Sequence, residues 1–158
     1  MYVGIANLRT GVGPAVLVAP GLGSCVGVAL YDLNRRVGGL LHAVLPKMAE
    51  FGNESQNPAK FVDSGALLLL AEVLKLGARR QMLRAKIAGG AQMFKGADRK
   101  FRRNIGERNV EAAREALKSL RIKIVAEDVG GSHGRTVSLD TSTGRVTIRM
   151  LGNQTRLI

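Results

Sequence analysis

The sequence predicts a single α/β domain of the α+β type, a layered and largely antiparallel β-sheet system with two principal helices. Three observations lead there. Short apolar runs bounded by Gly, Pro, Asn and Asp recur along the chain, and pairs of them flank polar reversals as hairpins do. Two longer segments, residues 59–76 and 107–120, instead carry the period of an amphipathic helix. Finally, 158 residues with 46% apolar content suffice for one buried core without disulfides or a metal, and no internal repeat or linker divides residues 1–158.

The elements follow in order. Val16–Ala19 reads as a strand ended by Pro20-Gly21. Cys25–Tyr31 and Val37–Leu45 read as a hairpin around Asp32-Leu33-Asn34-Arg35-Arg36, where Asp and Asn suit a tight reversal. Asn57-Pro58 reads as N-cap and first helical residue, the periodic segment runs from Ala59 to Leu76, and Gly77 supplies the left-handed cap. The Leu67–Leu70 run in that helix predicts burial on more than one side. Ala85–Ala88 is a strand ending at Gly89-Gly90. A second helix from about Glu107 to Leu120 presents Val110, Ala113, Leu117 and Leu120 on one face. Ile122–Ala126 is a strand, Gly130-Gly131 a bend, and Val137–Leu139 with Val146–Met150 form a closing hairpin around residues 140–144.

Composition narrows the function classes. No stretch reaches the roughly 20 apolar residues of a membrane helix. The lone Cys25 cannot form an intramolecular disulfide, so a reducing cytoplasm is the expected home. Residues 11–25 loosely resemble a lipoprotein signal, but Gly13, Pro14, Pro20 and Gly21 interrupt the run and a strand-like segment follows Cys25. The formal net charge of +12 favours polyanionic or acidic partners. Its densest segment, Arg79–Arg103, carries only Phe94 and Phe101 as stacking residues, so nucleic acid is not the expected partner.

Within the first hairpin, a two-residue loop at Leu33-Asn34 would pair Asp32 with Arg35 and set Cys25 directly opposite His42. A neighbouring imidazole can take the proton of a thiol whose pKa is otherwise near 8.5. Gly21 and Gly23 let a substrate approach the backbone, and the amides around Ser24 and Cys25 can face a developing oxyanion. An inert core cysteine and a structural strand histidine remain open as alternatives.

Five segments, GLGSC (21–25), GGLLHAVLP around His42, AKIAGGAQMF (85–94), NIGERNVEA (104–112) and EDVGGSHGRT (127–136), together resemble the chemoreceptor glutamine deamidase family CheD of bacteria and archaea. The resemblance runs in order along nearly the whole chain. It implies a cofactor-free cysteine hydrolase that converts glutamines on the cytoplasmic helices of methyl-accepting chemotaxis receptors into glutamates through a thioester. It also implies a fold similar to the catalytic domain of cytotoxic necrotising toxins, with Cys25 as nucleophile and His42 as general base. A CheC-type phosphatase is an implied further partner.

Two departures bear on activity. The family commonly has threonine six residues before the nucleophile, where this chain has Ala19, so the histidine-orienting role passes to Ser24, a backbone carbonyl or water. Residues 129–133, Val-Gly-Gly-Ser-His, also differ from the family pattern, and His133 is expected on a surface loop. Ala19 keeps open a second function, a catalytically weak or silent module that binds receptors or the phosphatase. Gly89, Gly90 and Asn104 are candidate substrate contacts, each with a structural alternative as a turn or helix cap, and Glu127-Asp128 is read as a loop anchor.

Overall fold

The computed structural model describes residues 1–52, 56–93 and 104–158. Among the described residues, nine strands and three α-helices follow in the order β1 (Asn7–Val12), β2 (Val16–Leu22), β3 (Val26–Asp32), β4 (Val37–Ala43), α1 (Met48–Phe51), α2 (Val62–Lys75), β5 (Arg84–Gly89), α3 (Ile105–Ser119), β6 (Lys123–Val129), β7 (Arg135–Asp140), β8 (Val146–Met150) and β9 (Thr155–Leu157). One sheet runs β1-β4-β3-β5-β6 and the other β2-β7-β8-β9. Every pairing is antiparallel except β5 with β6, which α3 joins as a crossover. No helix among the described residues is long and apolar enough to cross a membrane.

Residue alternation on the central strands defines three layers. Val26, Val28 and Leu30 of β3 and Leu41 and Ala43 of β4 pack with Leu69 and Val73 of α2 and Val110, Ala113 and Leu117 of α3. The opposite side chains, Ala29, Tyr31 and Leu40, pack with Leu17, Ala19 and Leu22 of β2 and with Val137, Leu139, Val146 and Ile148. Both principal helices therefore cover one face of the five-stranded sheet, and the four-stranded sheet covers the other. All seven residues of β3 and of β4 are buried, as strands covered on both faces require. Helix α2 approaches β4 so closely that a Cβ on Gly39 would lie 2.6 Å from Leu69 Cδ1.

The first hairpin corrects the predicted register. Asp32 pairs with Val37, and His42 lies opposite Gly27 instead of Cys25. Asp32 is the reason: its buried carboxylate accepts from the amides of Asn34 and Arg35 and, through its second oxygen, from Arg79, holding open a four-residue loop where two were expected. The shift of two residues moves the pairing partners yet returns each side chain to the same face.

Smaller differences have equally local causes. Strand β2 continues through Pro20-Gly21 to Leu22 by means of an irregularity in its pairing with β7. Asn57 does accept a capping bond from Ala59, but it caps a separate 3-10 turn, Pro58–Lys60, and extended Phe61 interrupts the helix before Val62. Leu67 is exposed, so α2 buries a single face through Val62, Ala66, Leu69, Leu70 and Val73 rather than two. Gly77 has the expected positive φ, 100°. Lys86, within the basic Arg79–Arg103 segment, faces the inter-sheet layer, where it donates to the carbonyls of Gly144 and Ile158. Phe94, Lys95, Arg99, Lys100, Phe101, Arg102 and Arg103 lie outside the described residues.

Candidate functional site

Residues 23–25 form the short link between β2 and β3, and their backbone is held from the side of β5 and α3. The Gly90 amide donates to Cys25 O and the Ala91 amide to Gly23 O, each at 2.8 Å. Gly89 makes that approach possible. Its φ of 106° suits glycine, and a Cβ there would lie 2.4 Å from Cys25 O. Gly90 is equally confined, since a Cβ would lie 2.3 Å from a Val110 methyl, and it also borders a shallow depression with Asn104 and Gly130. Replacing Gly89 with alanine is expected to destabilise the protein by about 1–3 kcal/mol, lowering its thermal midpoint by roughly 3–10 °C. An unchanged midpoint would show that the loop yields freely.

Cys25 is half-buried and packs against the inter-sheet core that contains Ala19 and Leu40. Burial pushes its thiol pKa up, while its own amide opposes that shift. His42 shares the inter-sheet face with Leu40, two residues away on β4, and is fully buried. Its Nδ1 lies 3.4 Å from the Val3 carbonyl, and its Nε2 has no hydrogen-bond partner among the described residues. Burial pushes the imidazole pKa down, with the Val3 carbonyl acting against it. A neutral ring whose Nδ1–H donates to Val3 leaves Nε2 as a free acceptor.

The two side chains thus meet the same core layer without a hydrogen bond between them. Ala19 is also fully buried, and among the described residues the hydrogen-bond partner of the His42 ring is the Val3 carbonyl. That carbonyl is held by the chain preceding β1, where the Val3 amide donates to Val18 O and the Val18 amide to Met1 O.

The remaining candidates separate by location. A cavity of about 360 Å³ borders Ser24 and is walled by Val44, Leu45, Phe51, Met93 and Ile105, with Asn104 at its edge. A wider depression of about 730 Å³ meets the loop at Gly21 and Gly23, with Met93 common to both. Asn104 makes no side-chain capping bond and takes a left-handed backbone. His133 is exposed, and its Nδ1 lies 3.3 Å from Ser132 Oγ. Glu127 pairs with Arg114, and buried Asp128 pairs with Arg135 at 2.5 Å, which anchors the 130–134 bend. Sequence reasoning missed Asn109. It is fully buried on the face of α3 that carries Val110 and Ala113, and a polar residue on that apolar face was the available signal.

The family model described as CheD chemotactic sensory transduction matches residues 44–150, more than half of the chain. The chain belongs to the CheD family. Cys25 and His42 precede the matched stretch, but full-length relatives extend across them. A Desulforamulus reducens protein named probable chemoreceptor glutamine deamidase CheD is 48% identical over 158 residues, covering 100% of this chain and 95% of its own. Its namesake from Pyrococcus abyssi is 53% identical, covering 96% and 93%. One from Clostridium tetani is 49% identical, covering 95% and 90%. Among solved structures, the Bacillus licheniformis hypothetical protein YfiH matches 79% of this CheD-family chain and 49% of its own, at 15% identity and a TM-score of 0.47.

Proposed function

We propose that this chain is a protein-glutamine glutaminase that deamidates chemoreceptor glutamines in the cytoplasm, with Cys25 as nucleophile and His42 as general base. The names of its full-length relatives support the reaction. The observation that carries the residue assignment is the pairing of a thiol on a backbone-clamped loop with a buried neutral imidazole whose Nε2 is unengaged.

In this reading His42 Nε2 takes the thiol proton as Sγ attacks the glutamine carboxamide carbon. The carbonyl oxygen becomes an oxyanion facing the amides of the 23–25 loop, with Ser24 and Gly23 contributing backbone only. Collapse breaks the C–N bond, and the proton held by His42 leaves with ammonia. A water then loses its proton to His42 as it attacks the thioester. The second collapse releases glutamate and returns the proton to Cys25. Once the new carboxylic acid has ionised and ammonia has taken up that proton, glutamine and water have become glutamate and ammonium, and no cofactor is consumed. The orienting partner of His42 is the Val3 carbonyl, in place of the absent threonine side chain at Ala19.

One observation favours the second reading, a silent module that binds receptors or a CheC-type phosphatase: no hydrogen bond joins Cys25 to His42 in the resting site. The test uses a receptor cytoplasmic fragment. The enzyme is expected to release one ammonia for each gain of about 1 Da, the mass signature of amide hydrolysis. Binding of the fragment with neither ammonia nor mass gain would replace the enzyme with the module.

A further inference from the structure

We infer that Asn109 is a positioning residue that assembles the oxyanion site and ties the Cys25 loop to the His42 strand. This rests on the deamidase reading above. Asn109 projects from α3 into the core and is fully buried. Its Nδ2 donates twice, to Ser24 O at 2.8 Å and to Val44 O at 2.9 Å. The first acceptor immediately precedes Cys25, and the second lies two residues beyond His42. One amide group therefore spans the two chain segments that bear the proposed nucleophile and base, which share no hydrogen bond of their own.

The direction of the first bond has a chemical consequence. In a trans peptide the N–H points away from the preceding C=O. By drawing Ser24 O toward α3, Asn109 turns the Cys25 N–H the other way. Gly90 and Ala91 draw Cys25 O and Gly23 O to their own amides in the same region, so all three carbonyls of residues 23–25 are occupied. Among the described residues, no backbone carbonyl accepts from the Ser24 or Cys25 amide, and the Cys25 amide faces its own sulfur. The loop therefore keeps the Ser24 and Cys25 amides out of backbone pairing, with the Cys25 amide on the side of its own sulfur, where a tetrahedral oxyanion needs donors. Among the described residues Asn109 Oδ1 has no hydrogen-bond partner, so the bonds this side chain makes there are the two donated by Nδ2.

Two reactions of the same sulfur separate this role from simple structural support. Deamidation develops an oxyanion, whereas alkylation of Cys25 by iodoacetamide does not. Asn109→Ala frees the Ser24–Cys25 peptide, and Asn109→Asp, of nearly the same volume, sets a carboxylate against two carbonyls. Each is expected to lower kcat for the receptor fragment by about 10²–10³-fold, the effect of losing one oxyanion donor. KM and the iodoacetamide rate should stay within about threefold, since neither reports transition-state charge. Should one variant fail to fold, the other supplies the same comparison.

Retention of wild-type kcat in a folded variant would overturn the inference while leaving a Cys25-dependent deamidase intact. A parallel fall in kcat and alkylation would also overturn it, because the defect would then lie in the thiol. Absence of Cys25-dependent activity in the wild type would overturn the deamidase reading first and the oxyanion role with it.

Discussion

Cys25→Ala is expected to lower deamidation of a receptor fragment by about 10⁴-fold or more while the protein remains folded. Loss of a covalent nucleophile removes the whole two-step route, and neighbouring catalytic groups cannot substitute for it. The stability effect should be near 1 kcal/mol, because the residue is only half-buried and little volume is lost. Ammonia release and intact mass, read together on the same fragment, check the loss. Activity retained within tenfold in Cys25→Ala would remove the cysteine mechanism outright.

The resting thiol sharpens that prediction. Burial pushes the Cys25 pKa above the ordinary thiol value, so the sulfur is chiefly protonated at neutral pH. In the proposed mechanism the proton must then leave during attack, so His42 would act as a base rather than as a counter-ion. Alkylation of free enzyme should accelerate as pH rises toward and beyond 9, with no plateau in the acid range. A rate already maximal near pH 6 would indicate a resting thiolate, which this environment does not favour.

Much of this arrangement was legible in the chain because faces are easier to read than partners. Alternation on β3 and β4 placed Cys25 and His42 on a common side, and a register error of two residues left that face unchanged. The turn length was not legible, since Asp32 opens the loop through a bond to Arg79, which is remote in sequence. Strand β1 was missed because it is an edge strand with alternating exposed polar residues and only Leu8 packed on the helix-side core. The Val3 carbonyl could not be foreseen either. It reaches His42 only because the residues before β1 bond to β2. Asn109 stood inside an amphipathic pattern, and its meaning became visible only when the helix was laid against the Cys25 loop.

His42→Asn should separate catalysis from architecture. Asparagine can still donate from its side-chain amide toward the Val3 carbonyl, the bond that holds Nδ1 at 3.4 Å, but it has no group corresponding to basic Nε2. Deamidation should fall by about 10²–10⁴-fold, the usual contribution of a positioned acid–base group. Stability should respond as well. Burial keeps the folded-state pKa of His42 below its ordinary value of 6.5, so the unfolded chain takes up the proton first as pH falls. The stabilisation associated with neutral His42 is therefore complete above about pH 6.5 and is lost below it. Denaturant unfolding of the wild type between pH 7.5 and 5 should show that loss, and His42→Asn should have a shallower slope through the same window, where no group at position 42 titrates. The acid limb of kcat/KM in the wild type should likewise fall below pH 6.5, because the free base persists until the depressed folded-state pKa is reached. Identical pH slopes in the two proteins would mean that His42 is not held neutral by burial. Near-wild-type turnover in His42→Asn would mean that another group accepts the Cys25 proton.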